Sequence, residues 1–264
     1  MQTVARVSHV LKALSEGASG GMRLSDVAGH IGLGKTTALR LLKALTDVGY
    51  VEYDDTTKLY RLGYCLFNLG TSARRFHIIE LARPGLARLA AATGDTVFLS
   101  VRDGQQAHCV DRQTGSFPIR TLTLSVGDRR PLGVGAGSLA LLAFESDAEI
   151  DRILTANQEA RRPLPNFQDS HLREMITETR ARGYSFNDGR IVSAMNAVGV
   201  PVLDQAGRVA CALSIAAIRE RMEPPRLKEM VAQLQAEARA LGQALDSRNA
   251  SAAHRTPPME SEGR

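Results

Sequence analysis

The apolar positions of this chain change period along its length, and each change marks a new kind of element. Over residues 4–63 they recur at helical spacing in short pieces divided by glycines, Gly17, Gly20 and Gly21, then Gly32 and Gly34, then Gly49. Short helices are expected there. After Gly49, YVEYDD and TTKLYRLG are β-prone runs around a polar centre of Asp54, Asp55, Thr56 and Thr57, which predicts a hairpin. Helices followed by a hairpin read as a winged helix-turn-helix over residues 1–63. Residues 64–76 read as a linker helix, and 78–92 as an amphipathic helix interrupted at Pro84.

Then alternation takes over. DTVFLSVRDG, QQAHCVDRQTG and FPIRTLTLSVGD read as three strands, and AVGVPVLDQAGRVACALSIAAI as a two-strand hairpin turning at residues 204–207. Helical spacing returns over 136–144, 148–155 and 169–182, so residues 77–246 form an α+β domain. Its last helix, 224–245, carries Leu227, Met230, Val231, Leu234, Ala238, Leu241 and Leu245 on one stripe. Residues 247–264 are small, polar and proline-containing, and are expected to be disordered.

The stretch GHIGLGKTTALRLL complicates the first domain, because Gly29, Gly34, Lys35 and Thr36 satisfy the phosphate-loop pattern G-x-x-x-x-G-K-[ST]. A phosphate loop must be delivered by a buried strand. The preceding RLSDVAGH instead has Leu24 and Val27 three apart, with Ser25 placed to cap a helix. The helix opening at Lys35 stacks Ala38, Leu41, Leu42 and Leu45 on one side. The other side collects Thr36, Arg40, Lys43 and Asp47, flanked by Thr37 and Leu39. Such a face is commonly only solvated. With a preceding short helix, a glycine turn and a hairpin bearing Lys58 and Arg61, it is the docking unit of a major-groove reader. Lys35, Thr36, Thr37, Leu39, Arg40 and Lys43 are expected against double-stranded DNA, with Lys58 and Arg61 on phosphates.

Composition narrows the alternatives. The 264 residues are 44% hydrophobic and 23% charged, with a formal net charge of +5, which fits a globular protein with a polyanionic partner. Cys65, Cys109 and Cys211 are scattered, so neither a disulfide framework nor a zinc site is expected. No long apolar run or secretory leader is read, which points to the cytoplasm and to no membrane partner. The six histidines show no metal-binding or catalytic spacing, so no cofactor, metal or enzymatic activity is expected.

The segments RVSHVLKALSEG and LSDVAGHIGLGKTTALRLLKALTDVGYVEYDDTTKLYRLG resemble the N-terminal domain of the IclR family of bacterial transcriptional regulators. RPLGVGAGSLALLA, RGYSFNDG and AVGVPVLDQAGRVACALSIAA are similar to that family's effector-binding domain, so the resemblance spans residues 4–246. It implies a GAF-like α/β fold for the second domain, and a homodimer or tetramer on a pseudo-palindromic operator. It also implies catabolic target genes and a small carboxylate effector that alters DNA affinity or recruitment of RNA polymerase.

The same resemblance places effector contacts at Gly135, Ala136, Asn187, Ser214 and Ala216, with Ala197 opposite. A helix start at residues 135–138 independently offers free N–H groups to a carboxylate. Several members carry an acid at Asn187, a thiol at Ala197 and a hydroxyl at Ala216, so a roomier, less polar pocket for a larger aromatic or branched acid is expected here. Arg129, with Arg130 beside it, is the expected cation for that acid. Two rival functions remain: a nucleotide hydrolase or other enzyme, and a sequence-indifferent DNA-packaging protein. The second would need neither this length nor a second domain.

Overall fold

A computed structural model describes residues 2–17, 20–72, 74–121 and 123–253. The chain divides into two units, Met1–His77 and Ile78–Arg264. In the first, helices α1 (Gln2–Glu16), α2 (Leu24–His30) and α3 (Lys35–Asp47) precede strands β1 (Val51–Asp54) and β2 (Leu59–Leu62). The strands pair antiparallel, with Val51 opposite Leu62 and Asp54 opposite Leu59. Val10, Leu14, Val27, Leu42, Leu45, Val51 and Tyr60 form the core, so the expected winged helix-turn-helix is present. One local detail differs. Arg23 and not Ser25 caps α2, because Asp26 in the first turn accepts the Arg23 N–H at 3.3 Å while Ser25 Oγ donates to Asp26 Oδ1 at 3.1 Å.

Helix α4 (Tyr64–Ser72) follows, then α5 (Arg74–Thr93), which runs through Pro84 without the expected interruption. Pro84 lies on the exposed side, where the carbonyl that loses its N–H partner can be hydrated. Beyond α5 come β3 (Thr96–Asp103), β4 (Gln106–Thr114), β5 (Arg129–Pro131), α6 (Ala136–Ala143), α7 (Asp147–Ala156) and α8 (Gln158–Arg161). Then follow α9 (Asp169–Arg182), β6 (Ser185–Asp188), β7 (Met195–Leu203), β8 (Val209–Ile218) and α10 (Arg226–Ala253). Among the described residues the strands make one antiparallel sheet in the order β5-β4-β3-β8-β7-β6.

Two expectations fail here. The third β-like run does not become a strand: Ile119 and Val126 are exposed, Thr121 and Leu124 turn inward, and only Arg129–Pro131 joins the sheet. The edge of β4 is met further along the chain, by Gly127 N–H to Cys109 O (2.9 Å) and Cys109 N–H to Asp128 O (3.0 Å). The polar tail also begins later than its composition implies, because α10 continues to Ala253. Residues 254–264 lie outside the described residues.

Strand alternation separates two environments. Val97, Leu99 and Val101 of β3, Val198, Val200 and Val202 of β7, and Cys211, Leu213, Ile215 and Ala217 of β8 pack under α5 and α10. The opposite face carries α6, α7 and α9, with Leu139, Leu142, Ile153, Phe167 and Leu172 at its centre. A clamp ties the sheet's lower corner together: Asp95, which is buried, accepts from Arg221 Nε at 2.8 Å and Arg226 Nη2 at 2.7 Å, and Arg221 stacks 3.8 Å over Phe117.

Candidate functional site

Two surfaces bring chemistry together, one in each unit. On α3 the apolar spacing buries Ala38, Leu42 and Leu45. Lys35, Thr36, Leu39, Arg40 and Lys43 are therefore exposed, with Thr37 half-buried beside them. Lys35, Arg40 and Lys43 have no carboxylate within ion-pair distance among the described residues. The helix begins at Gly34 (φ −60°) with no side-chain cap, so its first N–H groups also stay open. A recess of about 420 Å³ beside α3 is lined by Arg23, Ser25, Lys35, Leu39, Tyr53 and Lys58, cations and hydroxyls with no acid among them. Arg23 and Tyr53 were not legible as site residues, because each stands outside the α3 pattern.

The wing cations are less free than their spacing implies. Lys58 sits in the left-handed region (φ 58°) at the hairpin turn and pairs with Asp55 at 2.6 Å. Arg61 donates Nε to Gly20 O at 2.8 Å and lies 3.5 Å from Asp54. Both remain exposed, so each can still face an anion. The phosphate-loop pattern has no strand behind it. Gly29 lies within the last turn of α2, and Leu33 N–H to Ala28 O (3.1 Å) closes the helix-to-helix turn.

The second surface is a cavity between α6 and the sheet. Gly135, Ala136, Asn187, Ala197, Ser214 and Ala216 all line it, so the structure brings these six predicted positions together. Cross-strand register explains the meeting: Asn187 stands opposite Ala197, and Ala197 opposite Ala216. The small residues at the start of α6 are required by closeness. A Cβ on Gly137 would stand 3.0 Å from Ser214 Oγ, one on Gly199 would stand 2.7 Å from Ala136 O, and Ser185 Oγ donates to Ala136 O at 2.6 Å.

Gly135 (φ +94°) turns the chain into α6, a conformation that favours glycine. The first intrahelical bond at this end is Leu139 N–H to Gly135 O, 2.8 Å, so the N–H groups of Ala136, Gly137 and Ser138 have no partner inside the helix. Arg129 is a correction: its guanidinium pairs with Asp103 at 3.1 Å and does not line the cavity. Arg130 does. Its Nη1 lies 3.7 Å from where a Gly135 Cβ would be, its Nη2 donates to Thr123 O, and no carboxylate lies within ion-pair distance of it among the described residues. Burial lowers its pKa from the ordinary arginine value, and the nearby Asp128 charge offsets this only in part.

Three further buried oxygens of the lining, Thr121 Oγ1, Asn187 Oδ1 and Asn196 Oδ1, have no hydrogen-bond partner. Leaving such groups unpaired costs about 1–3 kcal/mol each, so the cavity is built to be completed by something polar. Cys109 also lines it, but burial pushes its thiol up to about 11, and the sulfur stays protonated at neutral pH.

The space is smaller than Ala197 and Ala216 imply, about 60 Å³. Phe98, Leu124, Ile191, Val192 and Met195 reach in from three other segments and fill the volume that the alanines release. Thr121 and Asn196 are lining residues that the sequence pattern does not single out. The available signal was a polar residue at the entrance to an apolar strand, Asn196 before AVGVPVL, and it is weak alone. Among the described residues no group of three or more His, Cys, Asp and Glu could hold a metal, and no helix is long and apolar enough to cross a membrane.

Comparison with known proteins agrees with both units. The IclR helix-turn-helix domain matches residues 3–55, and the bacterial transcriptional regulator IclR C-terminal domain matches residues 70–243. The HTH-type transcriptional regulator XynR of Escherichia coli is 28% identical over 247 residues, covering 93% of this chain and 97% of that protein. An IclR regulator structure from Alicyclobacillus acidocaldarius superposes with a TM-score of 0.73 at 26% identity, covering 93% of this chain and 99% of that one. An IclR homologue from Microbacterium hydrocarbonoxydans, solved with 4-hydroxybenzoate, gives 0.74 at 22% identity over 93% and 99%. With one domain match on the helix-turn-helix and the other on the sheet that holds the cavity, this chain belongs to the IclR family of bacterial transcriptional regulators.

Proposed function

We propose that this regulator binds a pseudo-palindromic operator through α3 and the wing, as a homodimer or a pair of dimers, and that a small carboxylate in the α6 cavity alters that binding. On this reading Lys35, Thr36, Thr37, Leu39, Arg40 and Lys43 enter the major groove, and Lys58 and Arg61 meet phosphates. The carboxylate accepts from the N–H groups opening α6 and from Arg130. Asn187, Asn196 and Thr121 bind the rest of the molecule, with Ala197, Ser214 and Ala216 shaping it.

The observation that carries the effector reading is the convergence on one cavity of a half-buried arginine with no carboxylate among the described residues in ion-pair distance, an uncapped helix start and three orphaned oxygens. A carboxylate satisfies the arginine and the helix start and can accept from the Thr121 hydroxyl, and a hydroxyl or N–H donor on its short body satisfies the two amide oxygens. At about 60 Å³ the space is small, so a short acid fits more readily than a benzoate ring, which would need Ile191 or Met195 to move. The genes controlled are taken to be catabolic ones that consume such an acid.

The test is quantitative binding of the purified protein to DNA upstream of its own gene and its neighbours, against random DNA, over a salt series, with short carboxylates and 4-hydroxybenzoate added in turn. Preference for the upstream DNA that changes with one acid supports the reading. Equal affinity for both DNAs at every salt, with and without every acid, sinks it.

A further inference from the structure

Beside the α6 cavity lies a larger one, about 430 Å³, formed where residues 163–167 and 189–191 face the start of α6. Arg130, Val134 and Ile191 line both, so the two spaces adjoin at these side chains. The outer lining is otherwise Pro131, Pro163, Leu164, Pro165, Asn166, Phe167 and Arg190. Its charged members are two arginines, with no acid to balance them.

The main chain around Arg190 is held in place by its surroundings. The Arg190 carbonyl accepts from Asn166 Nδ2 at 3.1 Å, and the segment after it is pinned by Arg219 Nη2 to Ser193 O at 3.0 Å and by Met195 N–H to Val192 O at 2.9 Å. Gly189, before it, has φ +61°, and a Cβ there would stand 2.6 Å from Arg219 Nη2. Among the described residues no carboxylate lies within ion-pair distance of the Arg190 guanidinium. Arg190 therefore lines an apolar space from a fixed stretch of main chain, with no carboxylate among the described residues within ion-pair distance.

We propose that the two cavities form one bipartite site and that the effector is an elongated dicarboxylate. One carboxylate sits at the start of α6 beside Arg130. The apolar chain passes Ile191 and Val134, and the second carboxylate meets Arg190 in the outer cavity. This rests on the carboxylate reading of the inner cavity and adds to it a second acidic group and a length. It also reconciles the small inner volume with the larger effector that Ala197 and Ala216 imply, since the extra length goes outward.

The experiment is calorimetric titration of the purified full chain with succinate, adipate and pimelate, and with butyrate, hexanoate and heptanoate as length-matched monocarboxylates. At the best length the dicarboxylate is expected to bind about tenfold tighter or better than its monocarboxylate, as a charge-assisted bond to Arg190 requires. In Arg190→Gln that advantage is expected to vanish while the monocarboxylate changes by no more than roughly twofold, and Arg190→Lys is expected to restore part of it. Thermal melting of each variant checks that it folds.

If dicarboxylates gain nothing at any length, or Arg190→Gln weakens both classes alike, the outer cavity is not a subsite and the proposal falls while the inner reading stands. If the variant only slows entry and exit of both classes at unchanged affinity, the outer cavity is an entrance and the proposal again falls. Binding of neither class overturns the carboxylate reading of the inner cavity, and this inference with it.

Discussion

Helices α3 and α6 begin in the same way and are put to opposite uses. Each follows a glycine, neither has a side-chain N-cap, and each leaves its first N–H groups unpaired. Around α3 those groups open on water beside exposed cations, and Gly34 has ordinary φ with open space around a would-be Cβ. Every residue of α6 is buried, and Gly135 has a φ that other residues rarely adopt. The same helix-start chemistry is thus screened and adaptable on the surface, but unscreened and shape-limited inside.

That contrast can be broken most strongly at Gly135. Gly135→Val forces a β-branched residue into the left-handed region and places its Cβ 3.3 Å from Ile191 Cδ1. The backbone conformation alone costs about 1–3 kcal/mol, so a lower melting temperature and loss of the acid response are expected, with DNA preference retained in the folded protein. Melting and response at wild-type values would mean that the α6 start is not constrained as described.

Arg130→Gln should weaken binding of the tightest acid by roughly 1.5–3 kcal/mol, the worth of a hydrogen bond to a charged group. Calorimetry giving an unchanged affinity would place the carboxylate elsewhere. On the other helix, Arg40→Ala should cost about 1–3 kcal/mol in upstream-DNA binding if it reads a base. An equal loss on random DNA would make it a phosphate contact instead.

Salt sharpens the comparison next. DNA affinity should fall steeply with added salt, and Lys58→Ala should reduce that slope by about 1, whereas acid affinity should barely move because its partners are buried. The smallest effect is expected from Gly34→Asp. A better N-cap stabilises the protein by a few tenths of a kcal/mol, while a negative charge at the start of α3 lowers affinity for all DNA. If DNA binding improves, the N-terminus of α3 does not face phosphates.

Legibility in the sequence followed the same divide. Helix α3 could be read because one side of it faces solvent, so its period is visible. Helix α9 could be read because Gly183 (φ 74°) stops it and donates to Thr179 O at 2.9 Å. Around the cavity the pattern was harder to follow. In β5 the cross-strand register puts Arg129 opposite His108 and Arg130 opposite Ala107, and alternation sends the two arginines to different sides. Sequence shows the pair but not the register, so it does not tell which arginine lines the cavity. The segment before β5 alternates like a strand, yet the edge it would need is taken by residues 127–131. Pro84 misled for the opposite reason, since a rule about helix interiors weakens on an exposed side.

The alternation within β3, β7 and β8 has a consequence for descent. Residues that hold the sheet to α5 and α10 and residues that shape the cavity are chain neighbours, as Ala197 is to Val198 and Ala216 to Ile215 and Ala217, yet they stand on opposite sides of one layer. A substitution at Ala197 or Ala216 changes the lining of the cavity and the small cluster around Phe98 and Cys109, while the packing under α5 and α10 on the other side stays as it is. Lineages with this sheet are free to inherit the architecture intact and acquire a new chemical vocabulary one side chain at a time.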